Sequence, residues 1–221
     1  MELWQRLGLL PGVICAVGSG GKTTLLHRLA RELPGTVIFC TTTKIFPSAR
    51  LPVLCGADEA QLTALLRRSR AVCIGTPTEE GKLSTPRLPF DALRRIADYV
   101  LVEADGSRGL PLKAHRPNEP VLPEHADRVL NLVGALGLGR PVCEAAHCPE
   151  RYTELSGLGL SDPVTPEAAA AVLRYEGLGD TVIVNQAELP EPMQLARALA
   201  AHLSCPVFAG SVRDGALIPL K

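Results

Sequence analysis

Residues 13–24 read Val-Ile-Cys-Ala-Val-Gly-Ser-Gly-Gly-Lys-Thr-Thr. An apolar run, Val13 to Val17, feeds a turn made of Gly18, Ser19, Gly20 and Gly21. Lys22, Thr23 and Thr24 follow, and then an amphipathic stretch opening at Leu25 and Leu26. Strand, loop and helix in this order make a phosphate cradle. Glycines let backbone N–H groups turn toward phosphate oxygens where a Cβ would clash. The helix start adds unpaired N–H groups and the positive end of its dipole. Lys22 is placed to reach the β- and γ-phosphates, and the Thr23 hydroxyl to ligate Mg²⁺. The implied ligand is a nucleoside triphosphate, ATP or GTP, with Mg²⁺.

The usual spacing, G-x-x-x-x-G-K-[ST], would put its first glycine at position 16, where the chain has Ala16. The loop is a shortened one that starts at Gly18, and in this it resembles the ATP loop of Mur-type ligases. Other chemistry is expected at strand ends, because ligands of open parallel sheets bind outside the carboxyl ends of the strands. The apolar run 36–41 ends in Thr41, Thr42, Thr43 and Lys44, hydroxyls and a lysine suited to the γ-phosphate or its metal. The run 99–102 ends in Glu103, Ala104, Asp105 and Gly106. An acid after a buried strand is the usual second anchor for Mg²⁺. Glu103 and Asp105 are two apart, so in extended chain they share a face. One can hold the metal while the other positions the attacking water. Residues 106–123 are long and irregular and carry Arg108, Lys113, His115 and Arg116. Such a stretch stands where a nucleotide-sensing segment would, and Arg108, Lys113 or Arg116 can neutralise transition-state charge. The run 181–184 ends in Asn185, Gln186, Ala187 and Glu188, the outline of a base-reading N-K-x-D motif with Asn185 as a tie to the phosphate loop. Cys143, His147 and Cys148 carry soft-metal donor types, but at a spacing that matches no common zinc finger.

The elements that must position these groups are legible as alternation. Apolar strand-like runs fall at 12–17, 36–41, 52–55, 71–75, 99–103, 128–133, 181–185 and 205–209. Helical spacing covers 24–33, 58–70, 90–97, 166–175 and 192–203. Strands apolar on both faces and alternating with helices predict an α/β fold: a doubly wound, mainly parallel sheet with helices on both faces. One P-loop NTPase-like domain is expected over residues 1–221. The chain carries 23 basic and 23 acidic residues and only 4% aromatics. That balance argues against a nucleic-acid or membrane surface. No apolar run is long enough for a membrane span, and the cysteines read mostly as small core residues of a cytoplasmic protein.

Three blocks together resemble the YqeC family: residues 18–24, Thr42-Thr43-Lys44-Ile45-Phe46-Pro47, and Glu103-Ala104-Asp105-Gly106-Ser107 with Leu112-Lys113-Ala114 and Glu119-Pro120. That family is described as a selenium-dependent hydroxylase accessory protein or selenium cofactor biosynthesis protein. The resemblance implies a P-loop accessory factor serving selenium-dependent molybdenum hydroxylases or their cofactor-synthesis enzymes. Three activities stay open. One is NTP hydrolysis coupled to cofactor insertion, another is a kinase or ligase acting on a small acceptor, and the third is a nucleotide-gated scaffold without turnover. Carried over by matching position, the site is the loop, Thr42 to Lys44, Glu103, Asp105 and Lys113.

Overall fold

The computed structural model describes residues 1–221. Its chain forms two compact units interleaved in sequence. The first takes Met1–Ala16, Thr23–Asp105 and Val121–Arg128. The second takes Val17–Lys22, Gly106–Pro120 and Val129–Lys221.

The first unit is built from α1 (Leu3–Arg6), β1 (Gly12–Gly18), α2 (Lys22–Glu32), β2 (Val37–Thr41), β3 (Val53–Cys55), α3 (Glu59–Leu66), β4 (Ala71–Pro77), β5 (Leu83–Ser84), α4 (Phe90–Ile96) and β6 (Tyr99–Glu103). Its strands run β1-β6-β2-β4-β3, all parallel, with β5 antiparallel on β4. β1 and β2 are buried along their whole length, which explains why they read as unbroken apolar runs rather than alternating ones. From β1 to β2 the chain steps one way along the sheet; through α3 and α4 it steps back. Right-handed crossovers then put α2 on one face and α3 and α4 on the other. This is the doubly wound α/β arrangement the pattern predicts.

α2 buries Leu25, Leu26, Leu29 and Ala30, spaced for one helical face. Its last carbonyls are closed by Arg70, whose guanidinium donates to Arg31 O at 2.6 Å and to Leu33 O. That role explains a difference from expectation. α3 ends at Leu66 rather than running to residue 70, because the chain tightens there, with Arg68 N donating to Leu65 O at 3.0 Å. The turn releases Arg70 to cap its neighbour. Residues 75–89, rich in Gly and Pro, form the β4–β5 hairpin, which also bridges to Ile45.

The second unit contains β7 (Leu112–Lys113), β8 (Arg128–Gly134), α5 (Val142–Ala145), β9 (Ala146–His147), α6 (Pro149–Ser156), α7 (Pro166–Glu176), β10 (Thr181–Asn185), α8 (Pro190–Ala201), β11 (Val207–Ser211) and β12 (Ala216–Pro219). β8, β10 and β11 are parallel neighbours in that order, β12 is antiparallel on β11, and β7 pairs with β9. Thr165 caps α7 by accepting from Ala168 N at 3.2 Å, with Pro166 in the first turn where its missing N–H costs nothing. Its buried Ala169 and Ala170 join a core containing Tyr152, Val184 and Leu199. α5, α6, the β7/β9 pair and β12 are not evident from the sequence pattern. Most span too few residues to show a period. No helix of either unit is long and apolar enough to cross a membrane.

Two outcomes are expected. Leu29→Ala should lower unfolding free energy by about 2–5 kcal/mol, read from urea titration, because a fully buried leucine on α2 would leave a cavity. Cys15, Cys40 and Cys73 lie in the sheet of the first unit. Burial pushes the Cys15 thiol up to about 12, with Asp127 adding to it, and raises Cys40 and Cys73 as well. At pH 8 a thiol reagent should label the exposed Cys55 and Cys143 quickly, and these three only after unfolding.

Candidate functional site

In the second unit, the glycine-loop residues are held by close contacts that leave no space for a Cβ at Gly20 or Gly21. Ala16 remains inside β1, in register with Glu103. The chain therefore leaves the sheet at Gly18, which fits the shortened loop. Ser19 is fully buried; its N–H donates to Leu132 O at 2.8 Å and its hydroxyl to Leu110 O. Gly20 has φ +79°, and a Cβ there would stand 2.5 Å from Gly134 N. Gly21 has φ +131°, and a Cβ there would run into the Asn185 amide nitrogen. Only glycine satisfies both the dihedral and the approach. Asn185, at the end of β10, donates from Nδ2 to Gly20 O at 2.7 Å and accepts at Oδ1 from Val212 N at 2.8 Å. It is the tie to the loop that its position after a strand implies. Lys22 is 4% exposed, and its Nζ donates to Gly18 O at 2.6 Å and to Ser107 Oγ at 3.2 Å. The ammonium thus lies across its own loop.

In the first unit, Thr23 Oγ1 donates to Glu103 Oε2 at 2.7 Å. Mg²⁺ demands oxygens at 2.0–2.1 Å in octahedral geometry, so neighbouring ligands lie about 2.9 Å apart. The hydroxyl and carboxylate already stand at nearly that separation and are the hard oxygen donors the metal prefers. Thr42, Thr43 and the end of β2 gather at the same strand end. Thr41 Oγ1 donates to Glu103 O at 2.7 Å, Thr42 N to Glu103 O at 3.2 Å, and Thr43 N to Thr41 Oγ1 at 3.0 Å. The Thr42 hydroxyl oxygen is buried and has no hydrogen-bond partner. Thr24 is exposed on the first turn of α2. Asp105 is fully buried, whereas Glu103 is partly exposed. Lys44 is at the surface, its Nζ 2.9 Å from Glu80 Oε1 and its side chain 51% exposed. That hydrogen bond holds the Glu80 carboxyl below its usual range.

The segment after Asp105 is pinned rather than loose. The Lys113 side chain is fully buried and donates to Gly106 O at 2.6 Å, with Glu119 Oε2 at 2.9 Å. Glu176 on α7 accepts from His115 N at 2.6 Å and meets its Nδ1 at 2.9 Å. His147 pairs with Lys113 across β7 and β9. Burial, and then the Lys113 charge, push its pKa below the ordinary value. Gln186 adopts φ +63°, and its side-chain amide oxygen Oε1 is buried without a hydrogen-bond partner; Glu188 is exposed. Cys148 is the left-handed cap of α6 and Cys143 is exposed. No three His, Cys, Asp or Glu side chains form a metal-holding group. Ser107, Leu110 and Leu132 are hydrogen-bond partners of the loop that sequence reasoning does not place there. Their contacts run through single hydroxyls or main-chain atoms, and these leave no residue-type signal.

Asn185→Ala should cost about 1–3 kcal/mol in urea unfolding, because it strands the Gly20 carbonyl and the Val212 N–H in a buried place.

Comparison with known proteins gives a family match and a relative. The family model described as "YqeC protein" matches residues 14–150. A protein of Escherichia coli (strain K12) named "Uncharacterized protein YqeC" is 38% identical over 169 residues. The aligned part covers 72% of this chain and 63% of that relative, so the chain spans less than two thirds of the relative's length. No solved structure matches the chain. The family match takes in the glycine loop, the Thr42–Lys44 block, Glu103, Asp105 and the pinned segment with Lys113, and by it the chain belongs to the YqeC family.

Proposed function

We propose that this chain is a Mg²⁺-dependent P-loop protein that binds ATP or GTP and hydrolyses it. The observation that carries the reading is the Thr23 Oγ1 to Glu103 Oε2 approach of 2.7 Å. It places a loop hydroxyl and a strand-end carboxylate as a ready pair of oxygen donors. Thr23 and Glu103 would hold the metal, which when bound neutralises charge on the β- and γ-phosphates. Lys22 would exchange Gly18 O and Ser107 Oγ for phosphate oxygens, and Ser19, Gly20 and Gly21 would supply main-chain cradle atoms. Thr42 and Thr43 would meet the terminal phosphate, the partnerless Thr42 hydroxyl being the better placed. Asp105 would act on water only if its burial is relieved, so Glu103 carries more of the weight. Asn185, Gln186 and Glu188 would face the base. Hydrolysis of this kind needs positioning and charge stabilisation more than covalent chemistry from the protein.

Family likeness extends the reading to a role: an accessory factor coupling nucleotide turnover to maturation of selenium-dependent molybdenum hydroxylases. The resemblance of the three sequence blocks to that family supports this wider role.

Calorimetric titration with ATP and with GTP, with and without Mg²⁺, tests the core of it. Binding of one nucleotide is expected, weakened at least about tenfold in Lys22→Ala. Glu103→Gln should abolish most of the Mg²⁺ dependence and lower hydrolysis about 100-fold or more. Absence of binding by either nucleotide would sink the proposal.

A further inference from the structure

Three cations follow Asp105 closely enough to serve the terminal phosphate of a nucleotide: Arg108, Lys113 and Arg116. The structure separates them. Lys113 is enclosed and engaged with Gly106 O and Glu119. Arg116 opens a separate turn, closed by Glu119 N donating to Arg116 O at 2.9 Å. Arg108 alone belongs to a turn fastened to the phosphate loop. That turn runs from Ser107 to Leu110 and is closed by Leu110 N donating to Ser107 O at 3.0 Å. Both ends touch the loop: Ser107 Oγ accepts from Lys22 Nζ, and Leu110 O accepts from the Ser19 hydroxyl. The next residue, Pro111, anchors it again, its carbonyl accepting from Gly134 N at 2.8 Å.

The two central residues have φ +50° (Arg108) and φ +76° (Gly109). Positive φ at both centres marks a type I′ turn, which takes Asn, Asp or Gly at its first centre. Arginine has no local hydrogen bond to offer in this conformation and bears a Cβ penalty there. Gly106 and Gly109 flank it, so the chain has glycine nearby yet carries a long cation at the strained position. Non-glycine residues held at positive φ gather at functional sites, where the surroundings over-determine them. Arg108 is exposed, and its chain neighbour Ser107 meets the Lys22 ammonium at 3.2 Å.

We infer that Arg108 is a catalytic residue, an arginine supplied by the chain itself that contacts the transferring phosphoryl group from the side of the Ser107–Leu110 turn. This rests on the proposed nucleotide site. The reaction it serves is attack of water on the terminal phosphorus. The bond to the bridging oxygen breaks, the nucleoside diphosphate leaves, and inorganic phosphate carries away the water oxygen. The guanidinium gives its N–H donors to equatorial oxygens as charge redistributes, and it neither gains nor loses a proton.

The test compares Arg108→Gly, Arg108→Ala and Arg108→Lys with the unaltered full chain, using the nucleotide that binds. Arg108→Gly removes the cation and relieves the backbone, so its melting temperature should equal or exceed that of the parent. Arg108→Ala keeps the strain and should melt lower. Both should bind Mg²⁺–nucleotide within about threefold of the parent yet hydrolyse it about 100-fold or more slowly. Both should also fail to gain affinity for the diphosphate when aluminium fluoride is added, a gain the parent should show. Arg108→Lys should recover only part of it, since a point charge replaces a planar fork. Equal hydrolysis, or equal fluoride-induced tightening, in Arg108→Gly and the parent would overturn the assignment while leaving the nucleotide site standing. So would a parent that binds diphosphate but gains nothing from fluoride. A parent that binds no nucleotide at all, seen before fluoride is added, would overturn the site itself and Arg108 with it.

Discussion

Close approach of main chain to main chain governs the glycine loop. Gly20 lies against the backbone of Gly134 and the Pro111 carbonyl, and Gly21 against the Asn185 amide, with no room for a Cβ at either. Asn185 then reads both the Gly20 carbonyl and the Val212 N–H, so the loop's path is set by hydrogen bonds rather than by side-chain packing. The loop gives Lys22 and the Ser107–Leu110 turn a fixed platform; under the proposed function, a loop already in place would bind phosphate without a large ordering cost.

The two sets of polar contacts differ in kind. Around the loop, the hydrogen-bond partners of Ser19 and Asn185 are main-chain carbonyl and N–H groups, which are neutral. After Asp105 they are charged or enclosed: Lys113 with Glu119, His115 with Glu176. Removing one member of such a buried pair leaves an uncompensated charge, so these residues resist substitution for structural reasons alone. Their presence near a site is therefore weak evidence for catalysis, and the distinction favours an exposed, unburdened cation such as Arg108 over the enclosed Lys113.

Much of this was legible in the residues. The strands at 12–17, 99–103 and 181–185 emerge within a residue of their expected bounds, because fully buried parallel strands write continuous apolar runs. The Thr23–Glu103 approach follows from a hydroxyl after the lysine and an acid at the end of a central strand. What was not legible depends on contacts between distant main-chain atoms. Nothing in the letters says that Pro111 O meets Gly134 N, or that Ser107 faces Lys22. Lys44 illustrates the opposite case. It stands one residue past Thr43 in a promising block, yet its side chain goes to Glu80, because the hairpin that brings Glu80 there is set by the Ile45–Leu83 bridge. The left-handed residues Arg108, Cys148 and Gln186 were equally hidden, since only the backbone shows that a non-glycine side chain has been placed where glycine is easier.

The interleaving of the two units has a consequence for the order in which the molecule comes into being on the ribosome. All three segments of the first unit have been made by residue 128, whereas the segment Val17–Lys22 belongs to a unit whose largest segment, Val129–Lys221, is made last. Domains fold as units while synthesis proceeds from the amino end. The strands of the first unit can therefore assemble while the glycine loop still lacks Leu132, Gly134, Asn185 and Val212. A nascent chain would hold an ordered sheet beside a shapeless loop, and the cradle would close only after β10 and β11 emerge. The fixed path of the loop is then one of the final features the chain acquires, and an arrested or truncated translation product would be compact in its first part with the loop still unformed.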